Sequence, residues 1–362
     1  MADVSAIERF INPRFAPSGK GTRFTMPATP EGVINLALNE NHYGCSPKIG
    51  ERLANYTLFN LYPDAKEIQK LIAEYAGVGE EYVVPANGGS QILDLIANVF
   101  VEDGDEVIHC PPTFGLFNQR AQFYGGEIVS VPRDETFAVN VASVKAAITN
   151  KTKIIVIVNP NNPTGTLIPA KDTLEIVDTG VPVLLDEAYA EFSGETLAGL
   201  VSKYDNLMVM RTFSKWAGLA GLRIGYGVVS PIIADSIAKI TMAFFVDRVS
   251  AVAVEESLKD IDYLMGNVKL IVAERERLFT KLNQFKFLKP YPSAGNFICC
   301  CVTNGDAKEI QQAVMAKGIR ISSTDVGQGG ITAIRITIGK PEHSDALIKA
   351  LQEVAVEKKL PL

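Results

Sequence analysis

The chain carries no surplus of positive charge: 35 lysines and arginines are outweighed by 41 aspartates and glutamates, for a formal net charge of −6. Without a basic stripe there is little for a phosphate backbone or an anionic bilayer to grip, so neither nucleic acid nor membrane is expected as a partner. The five cysteines, Cys45, Cys110, Cys299, Cys300 and Cys301, include no C-x-x-C pair, and three of them are consecutive inside the apolar run 297–302. This spacing predicts buried free thiols in a reducing compartment. Residues 1–10 contain Asp3, Glu8 and Arg9 and lack the continuous apolar stretch of a signal peptide, and no later run reaches membrane length. A cytoplasmic location is the expectation. Internal repeats, low-complexity tracts and flexible linkers are also absent. What is present, 362 residues of 47% hydrophobic and 21% charged composition, suits a globular chain of two closely packed parts acting on a small molecule.

Through the middle of the sequence, short runs rich in Val and Ile alternate with helix-length segments. The runs 106–110, 153–158, 181–185 and 207–210 read as buried parallel strands. Segments 90–101, 142–148 and 171–178 read as the helices between them, the alternation of an α/β sheet covered on both faces. After Ser250 the texture changes. A charged helical stretch over about 261–283 precedes a second group of short strands and an amphipathic helix over 341–358, which predicts a separate smaller domain.

Chemistry concentrates around one lysine. In the segment 211–225, Lys215 follows Thr212 and Ser214 and precedes glycines and Arg223. Hydroxyls and a guanidinium can hold a phosphate, glycines let the backbone approach it, and the amine beside them can form an imine with an aldehyde. Three further segments ask for the same guest. An apolar strand ends in Asp186, Glu187 and Tyr189, where an aspartate can keep a pyridine nitrogen protonated and turn the ring into an electron sink. Asn162 stands in a proline-fixed loop after the strand ending at Val158. Gly88-Gly89-Ser90-Gln91 opens a helix over 91–101 whose N-terminus can bind an anion, with Ser90 as its expected cap. Taken singly, an acid after a strand also serves as a helix cap or metal ligand, Asn-Pro as a plain turn, and Gly-Gly-Ser as nothing more than a turn.

Together these residues stand in a familiar order. The chain resembles the class I/II aminotransferases of pyridoxal-phosphate fold type I, and among them the histidinol-phosphate aminotransferase group. The resemblance runs from Leu38 to Gly339 through the pieces 39–44, 62–64, 88–91, 112–115, 162–165, 186–189, 212–215, 221–223 and 335–339. It implies a large cofactor domain over 44–254 with a mostly parallel seven-stranded sheet, and a smaller α/β domain over 255–362 joined by the arm 1–43. It implies pyridoxal 5′-phosphate as cofactor, held covalently by Lys215, with Asp186 on the pyridine nitrogen and Asn162 and Tyr189 at the ring oxygen. The phosphate would rest on Gly89, Ser90 and Gln91, with Thr212, Ser214 and Arg223 around it, while Phe114 stacks on the ring. Tyr62 would reach the phosphate of a neighbouring subunit, which implies a homodimer. The implied reaction moves an amino group from an amino acid to a 2-oxo acid by a ping-pong route in which Lys215, once displaced, is the general base at Cα. Arg335 would grip the substrate carboxylate, with Asn39, Asn162 and Arg320 also on the substrate side.

Departures from the family pattern bear on the substrate. Relatives that accept histidinol phosphate usually have an arginine at the position of Ser322, whereas this chain has Arg320. Residues two apart on a strand share a face, so Arg320 is expected to approach the pocket from a shifted position. The expected donor is therefore an amino acid with a free α-carboxylate. His42 and Cys45 replace prolines of the pattern and are candidates to shape the pocket; His42 reads first as a loop side chain with no metal-ligand spacing around it, and no metal site is expected. Two rival functions share the cofactor: decarboxylation of a phosphorylated amino acid, and non-catalytic regulation. Against the second stand Lys215, Asp186 and Arg335, all intact.

Overall fold

The computed structural model describes residues 10–11, 28–243, 245–327 and 332–361. Segment Thr152–Val158 shows why a sheet forms where it does: it is β-branched and aliphatic throughout its second half, and its last five residues are buried. Alternate side chains of such a strand enter opposite faces. Ile155 and Ile157 join one apolar cluster with Leu185 and Val209, whereas Ile154 and Val156 join another with Leu184 and Met208. Both faces are thus apolar, as a parallel sheet between helices requires.

In chain order, β1 (Ile34–Asn35) precedes the strands β2 (Val83–Ala86), β3 (Glu106–His109), β4 (Glu127–Ser130), β5 (Thr152–Val158), β6 (Val183–Asp186), β7 (Leu207–Thr212) and β8 (Gly225–Val228). The last seven form one sheet in the order β2-β8-β7-β6-β5-β3-β4, parallel except that β8 runs antiparallel to both neighbours. The expected mostly parallel seven-stranded sheet is present, and its predicted central strands and helices fall within a few residues of their expected bounds. The helix Gly89–Phe100 lays Ile92, Leu93 and Ile96 on the Val156 face, together with Ile233 and Ile237 of the helix Pro231–Ile240.

A second sheet follows, built from β9 (Leu288–Pro290), β10 (Phe297–Val302), β12 (Ser322–Asp325) and β13 (Thr332–Thr337) in the order β12-β13-β10-β9, all antiparallel. The consecutive cysteines lie on β10 as free, buried thiols, as expected. Between β10 and β12, the two-residue strand β11 (Ile319–Arg320) pairs in parallel with β1. The expectation that Arg320 and Ser322 share one strand face is corrected here: the strand breaks at Ile321, so Arg320 belongs to the β1 pairing and Ser322 to the β13 pairing. Among the described residues, no helix is long and apolar enough to cross a membrane.

Candidate active site

Parallel strands β5, β6 and β7 end side by side, so Val158, Asp186 and Met210 stand in register at one edge of the sheet. Loops leaving that edge carry the chemical groups, as in other open α/β sheets. Asp186 is 3% exposed, and its Oδ1 accepts the amide of Ala188 at 3.0 Å. Burial pushes its carboxyl up to about 7, with Ala188 and the nearby Lys215 ammonium pulling the other way. Lys215 lies just beyond β7 and donates from Nζ to the carbonyl of Leu38 at 2.9 Å. Its amine is lowered to about 8, first by burial and then by Arg335, with Arg223 adding to the effect and Glu40 and Asp186 opposing it. A lysine in this condition is neutral far more often than a surface lysine, which suits nucleophilic and basic roles.

The anion cradle is built on missing side chains. Gly88 has φ +77°, and a Cβ there would come 2.8 Å from Nη2 of Arg223. A Cβ on Gly225 would come 2.6 Å from the amide nitrogen of Gly89. These contacts leave Gly88, not Ser90, as the cap of the helix Gly89–Phe100; it supplies no capping side chain, which corrects the expected Ser90 cap. Only a glycine takes that backbone conformation without strain; the Gln91 amide donates to the Gly88 carbonyl at 3.1 Å, and the amides of Gly89 and Ser90 are left for an anion. Gln91 folds back instead, its Oε1 accepting the amide of Asn87 at 2.6 Å. Across from this turn, Thr212 Oγ1 lies 3.0 Å from Ser214 Oγ and accepts the Ser214 amide at 3.1 Å. Arg223, at φ +51°, ends the short helical turn Ala220–Leu222 and brings its guanidinium to Gly88. Phe114 is 44% exposed on the loop after β3, available to a flat ring.

On the opposite flank, Tyr189 Oη receives amide donors from Asn39 at 2.9 Å and from Asn162 at 3.4 Å. Asn162 Oδ1 in turn accepts Nη1 of Arg335 at 2.6 Å. Arg335 Nη2 donates to the carbonyl of Ala37 at 2.6 Å and lies 3.4 Å from Ser322 Oγ, while its Nε is buried with no partner among the described residues. A guanidinium whose partners among the described residues are neutral acceptors invites an anion. Arg320 does not join this group: its Nη1 donates to Thr29 at 3.0 Å. Tyr62 is 70% exposed, and its carbonyl accepts from Arg248. His42 is more than a loop side chain, since its Nε2 meets the Asn35 carbonyl at 3.1 Å and its ring packs edge-on to His343.

Sequence reasoning missed Glu40, which acts on Lys215 and lines a cavity of about 320 Å³ with Asn41, His42 and Ser214. Its place between Asn39 and Asn41 in the segment 39–44 was the available signal. Also missed were Thr337 and Asn296, which carry no chemical signature and matter only through what they hold. An aldehyde-bearing, phosphorylated pyridine fits the donors present: a buried acid for a ring nitrogen, a depressed lysine for the aldehyde, and a glycine cradle with hydroxyls and Arg223 for the phosphate.

Comparison with known proteins agrees with this chemistry. The family model described as aminotransferase class I and II matches residues 31–351. A histidinol-phosphate aminotransferase of Dehalococcoides mccartyi is 45% identical over 328 residues, covering 90% of this chain and 91% of that protein. The structure of the Sinorhizobium meliloti histidinol-phosphate aminotransferase in complex with pyridoxal-5′-phosphate is 26% identical with a TM-score of 0.81, covering 90% of this chain and 91% of that one. The Clostridium acetobutylicum histidinol-phosphate aminotransferase, at 22% identity, shares the fold with a TM-score of 0.84 over 90% of this chain and all of that one. The chain belongs to the class I and II aminotransferases, with the fold type I architecture, and is a pyridoxal-phosphate-dependent transaminase.

Proposed function

We propose that this transaminase holds its cofactor through Lys215 and takes an amino donor whose anionic group binds Arg335. The observation that carries the reading is electrostatic convergence: Arg335, Glu40, Arg223 and Asp186, from four separate segments, all act on the Lys215 amine. Once bound, the cofactor supplies an electron sink for the negative charge left at Cα. Asp186 keeps the pyridine nitrogen protonated, Tyr189 and Asn162 face the ring oxygen, and Phe114 covers one face. Gly89, Ser90 and Gln91 supply first-turn groups for the phosphate, with Thr212, Ser214 and Arg223. Lys215, displaced by the incoming amine, takes the proton from the donor's Cα.

Arg335 with Ser322 opposite it supplies one cation, which matches a single carboxylate in charge and fork geometry. The favoured donor is accordingly an α-amino acid, with a 2-oxo acid as acceptor. A second reading, histidinol phosphate as donor, is supported by the 45% identical histidinol-phosphate aminotransferase of Dehalococcoides mccartyi. Arg320 and Asn39 stand outside the direct substrate contacts in this reading, on the strength of their bonds to Thr29 and Tyr189.

The reading extends to assembly: exposed Leu58, Phe59, Leu61 and Tyr62 form an apolar stretch suited to a second copy, so that active sites are shared in a homodimer. The β1–β11 pairing supports an arm of 1–43 joined to a small domain of 255–362, beside a large domain of 44–254. A cytoplasmic enzyme remains the expectation from the sequence. Borohydride treatment of the loaded enzyme followed by peptide mass mapping tests the core of the proposal. The reduced adduct is expected on Lys215 and absent from Lys215→Ala; an adduct on another lysine overturns the assignment.

A further inference from the structure

Asn39 reads from the sequence as a substrate contact, but its surroundings give it a different task. It is 1% exposed and holds φ +54°, a left-handed conformation that Asn and Asp adopt more readily than other residues with a side chain. Residues kept in such conformations need neighbours that over-determine them. Here the Asn39 amide donates to Thr337 Oγ1 at 2.9 Å, and its carbonyl accepts Nδ2 of Asn296 at 3.0 Å.

These bonds also set the sense in which two side-chain amides face. Thr337 Oγ1 accepts from the Asn39 backbone and donates its own proton to Asn39 Oδ1, 3.1 Å away. That turns Nδ2 of Asn39 toward Tyr189 Oη at 2.9 Å. Arg335 has only donors, so the Asn162 atom facing it must be Oδ1, which turns Nδ2 of Asn162 toward the same Tyr189 oxygen. With both lone pairs engaged by N–H groups, the phenol of Tyr189 has one direction left for its own proton, away from both amides.

We propose that Asn39 is a positioning residue acting through Tyr189: by occupying a lone pair of the phenol it commits the Tyr189 proton to the ring oxygen of the cofactor, while Thr337 and Asn296 lock the amide in that sense. This rests on the assignment of Tyr189 to the ring oxygen made above. Burial raises the phenol's proton affinity, Arg335 and the Asn39 amide act against that, and the Asp186 carboxylate adds to it. Asn39 thereby ties the sheet that carries Thr337 to the cofactor's electronic state without touching the cofactor.

Asn39→Asp tests the idea with little change of shape: the carboxylate can still accept from Thr337 and tolerates the backbone conformation, but toward Tyr189 it accepts where Asn39 donated. The phenol proton is then drawn away from the cofactor. The readout is the pH at which the visible absorbance of the bound cofactor changes, compared across Asn39→Asp, Tyr189→Phe and the double variant. A hydrogen bond donated to the ring oxygen disperses negative charge there, so its loss moves the transition to higher pH, by about one unit. Each single variant is expected to show that shift, and Asn39→Asp is expected to add distinctly less once Tyr189 is Phe, what remains being the direct effect of the new charge. A shift for Tyr189→Phe with none for Asn39→Asp overturns the role of Asn39 and leaves Tyr189 at the ring oxygen. Equal shifts by Asn39→Asp in both backgrounds also overturn it, because Asn39 then acts independently of the phenol. No shift for Tyr189→Phe removes the underlying assignment and the inference together. Asn39→Gly, which keeps the left-handed backbone, repeats the cycle should the aspartate variant fail to fold, with a smaller shift of the same sign supporting the proposal and none overturning it.

Discussion

Arg335 and Ser322 are direct cross-strand partners: they pair in register between β13 and β12, Nη2 lies 3.4 Å from Oγ, and both donate to the carbonyl of Ala37. Ser322 therefore provides the only side chain opposite Arg335 on that strand pair, and it is neutral. A phosphate placed there lacks a second charge-assisted bond worth about 1.5–3 kcal/mol, roughly a ten- to hundredfold loss. The expected outcome is a higher kcat/KM for α-amino acids than for histidinol phosphate, with Ser322→Arg shifting the ratio toward the phosphate. Arg320→Ala is expected to leave the ratio unchanged, because Arg320 bonds Thr29. A large preference for histidinol phosphate that disappears in Arg320→Ala would give Arg320 the role denied to it here.

Asp186→Asn separates stability from catalysis. The buried carboxyl of the cofactor-free protein is raised to about 7 from an ordinary value of 3.8, so the folded state holds a proton that the unfolded state releases. Its contribution to stability is present below about pH 4 and is lost as pH rises toward 7. Glu187, also raised to about 7 mainly by burial, adds a loss of the same sign. Asn keeps an acceptor for the Ala188 amide and never ionises. Cofactor-free Asp186→Asn is expected to melt above the parent at pH 8, by an amount on the order of 2–4 kcal/mol, and to match it near pH 4. Turnover is expected to fall at the same time, since on the proposed assignment the pyridine nitrogen would lose its charged partner. Near-normal turnover would mean that another carboxylate does this work.

How far the site could be read in advance depended on whether a residue's role is local. Lys215, Thr212, Ser214 and Arg223 lie within a dozen residues around one turn, and Asp186 ends a strand whose apolar run announces it. Ser90 was misjudged as a cap because the steric demand that selects Gly88 comes from Arg223, 135 residues away in sequence. Arg320 was misplaced because period-two reasoning assumes an unbroken strand, whereas at Ile321 the pairing changes from β1 to β13. Thr337 and Asn296 were invisible for the same reason: their importance is a contact with Asn39, formed only in the fold.

Glu40→Gln tests the electrostatics of Lys215. The Glu40 carboxylate favours the ammonium form and so holds the Lys215 amine higher than burial and Arg335 alone would leave it. Removing that charge is expected to lower the amine below about 8, which increases the neutral fraction at any pH below that value. The rate at which cofactor-free enzyme captures pyridoxal phosphate should then rise at pH 6–7, measured by stopped-flow absorbance, with the midpoint of its pH profile displaced to lower pH. An unchanged midpoint would mean that Glu40 is screened from the amine.

Gly88→Ala probes the phosphate cradle where two demands coincide. The added methyl must sit at φ +77°, a conformation that costs an L-residue about 1–2 kcal/mol, and its carbon would come 2.8 Å from Nη2 of Arg223. The first demand acts on the folded protein as a whole and appears as a lower melting temperature of the cofactor-free form. The second is local: Arg223 is the movable party, and relieving the contact swings its guanidinium away from the helix N-terminus that it faces across Gly88. Cofactor affinity should therefore fall further than stability does, by roughly ten- to hundredfold, the size of one lost charge-assisted phosphate bond. Equilibrium dialysis with pyridoxal phosphate compares the variant with Arg223→Ala. If the methyl acts by displacing Arg223, the double variant binds no more weakly than Gly88→Ala by more than a small factor. Additive losses would instead mean that Gly88 and Arg223 serve the phosphate independently, through the backbone and the guanidinium respectively.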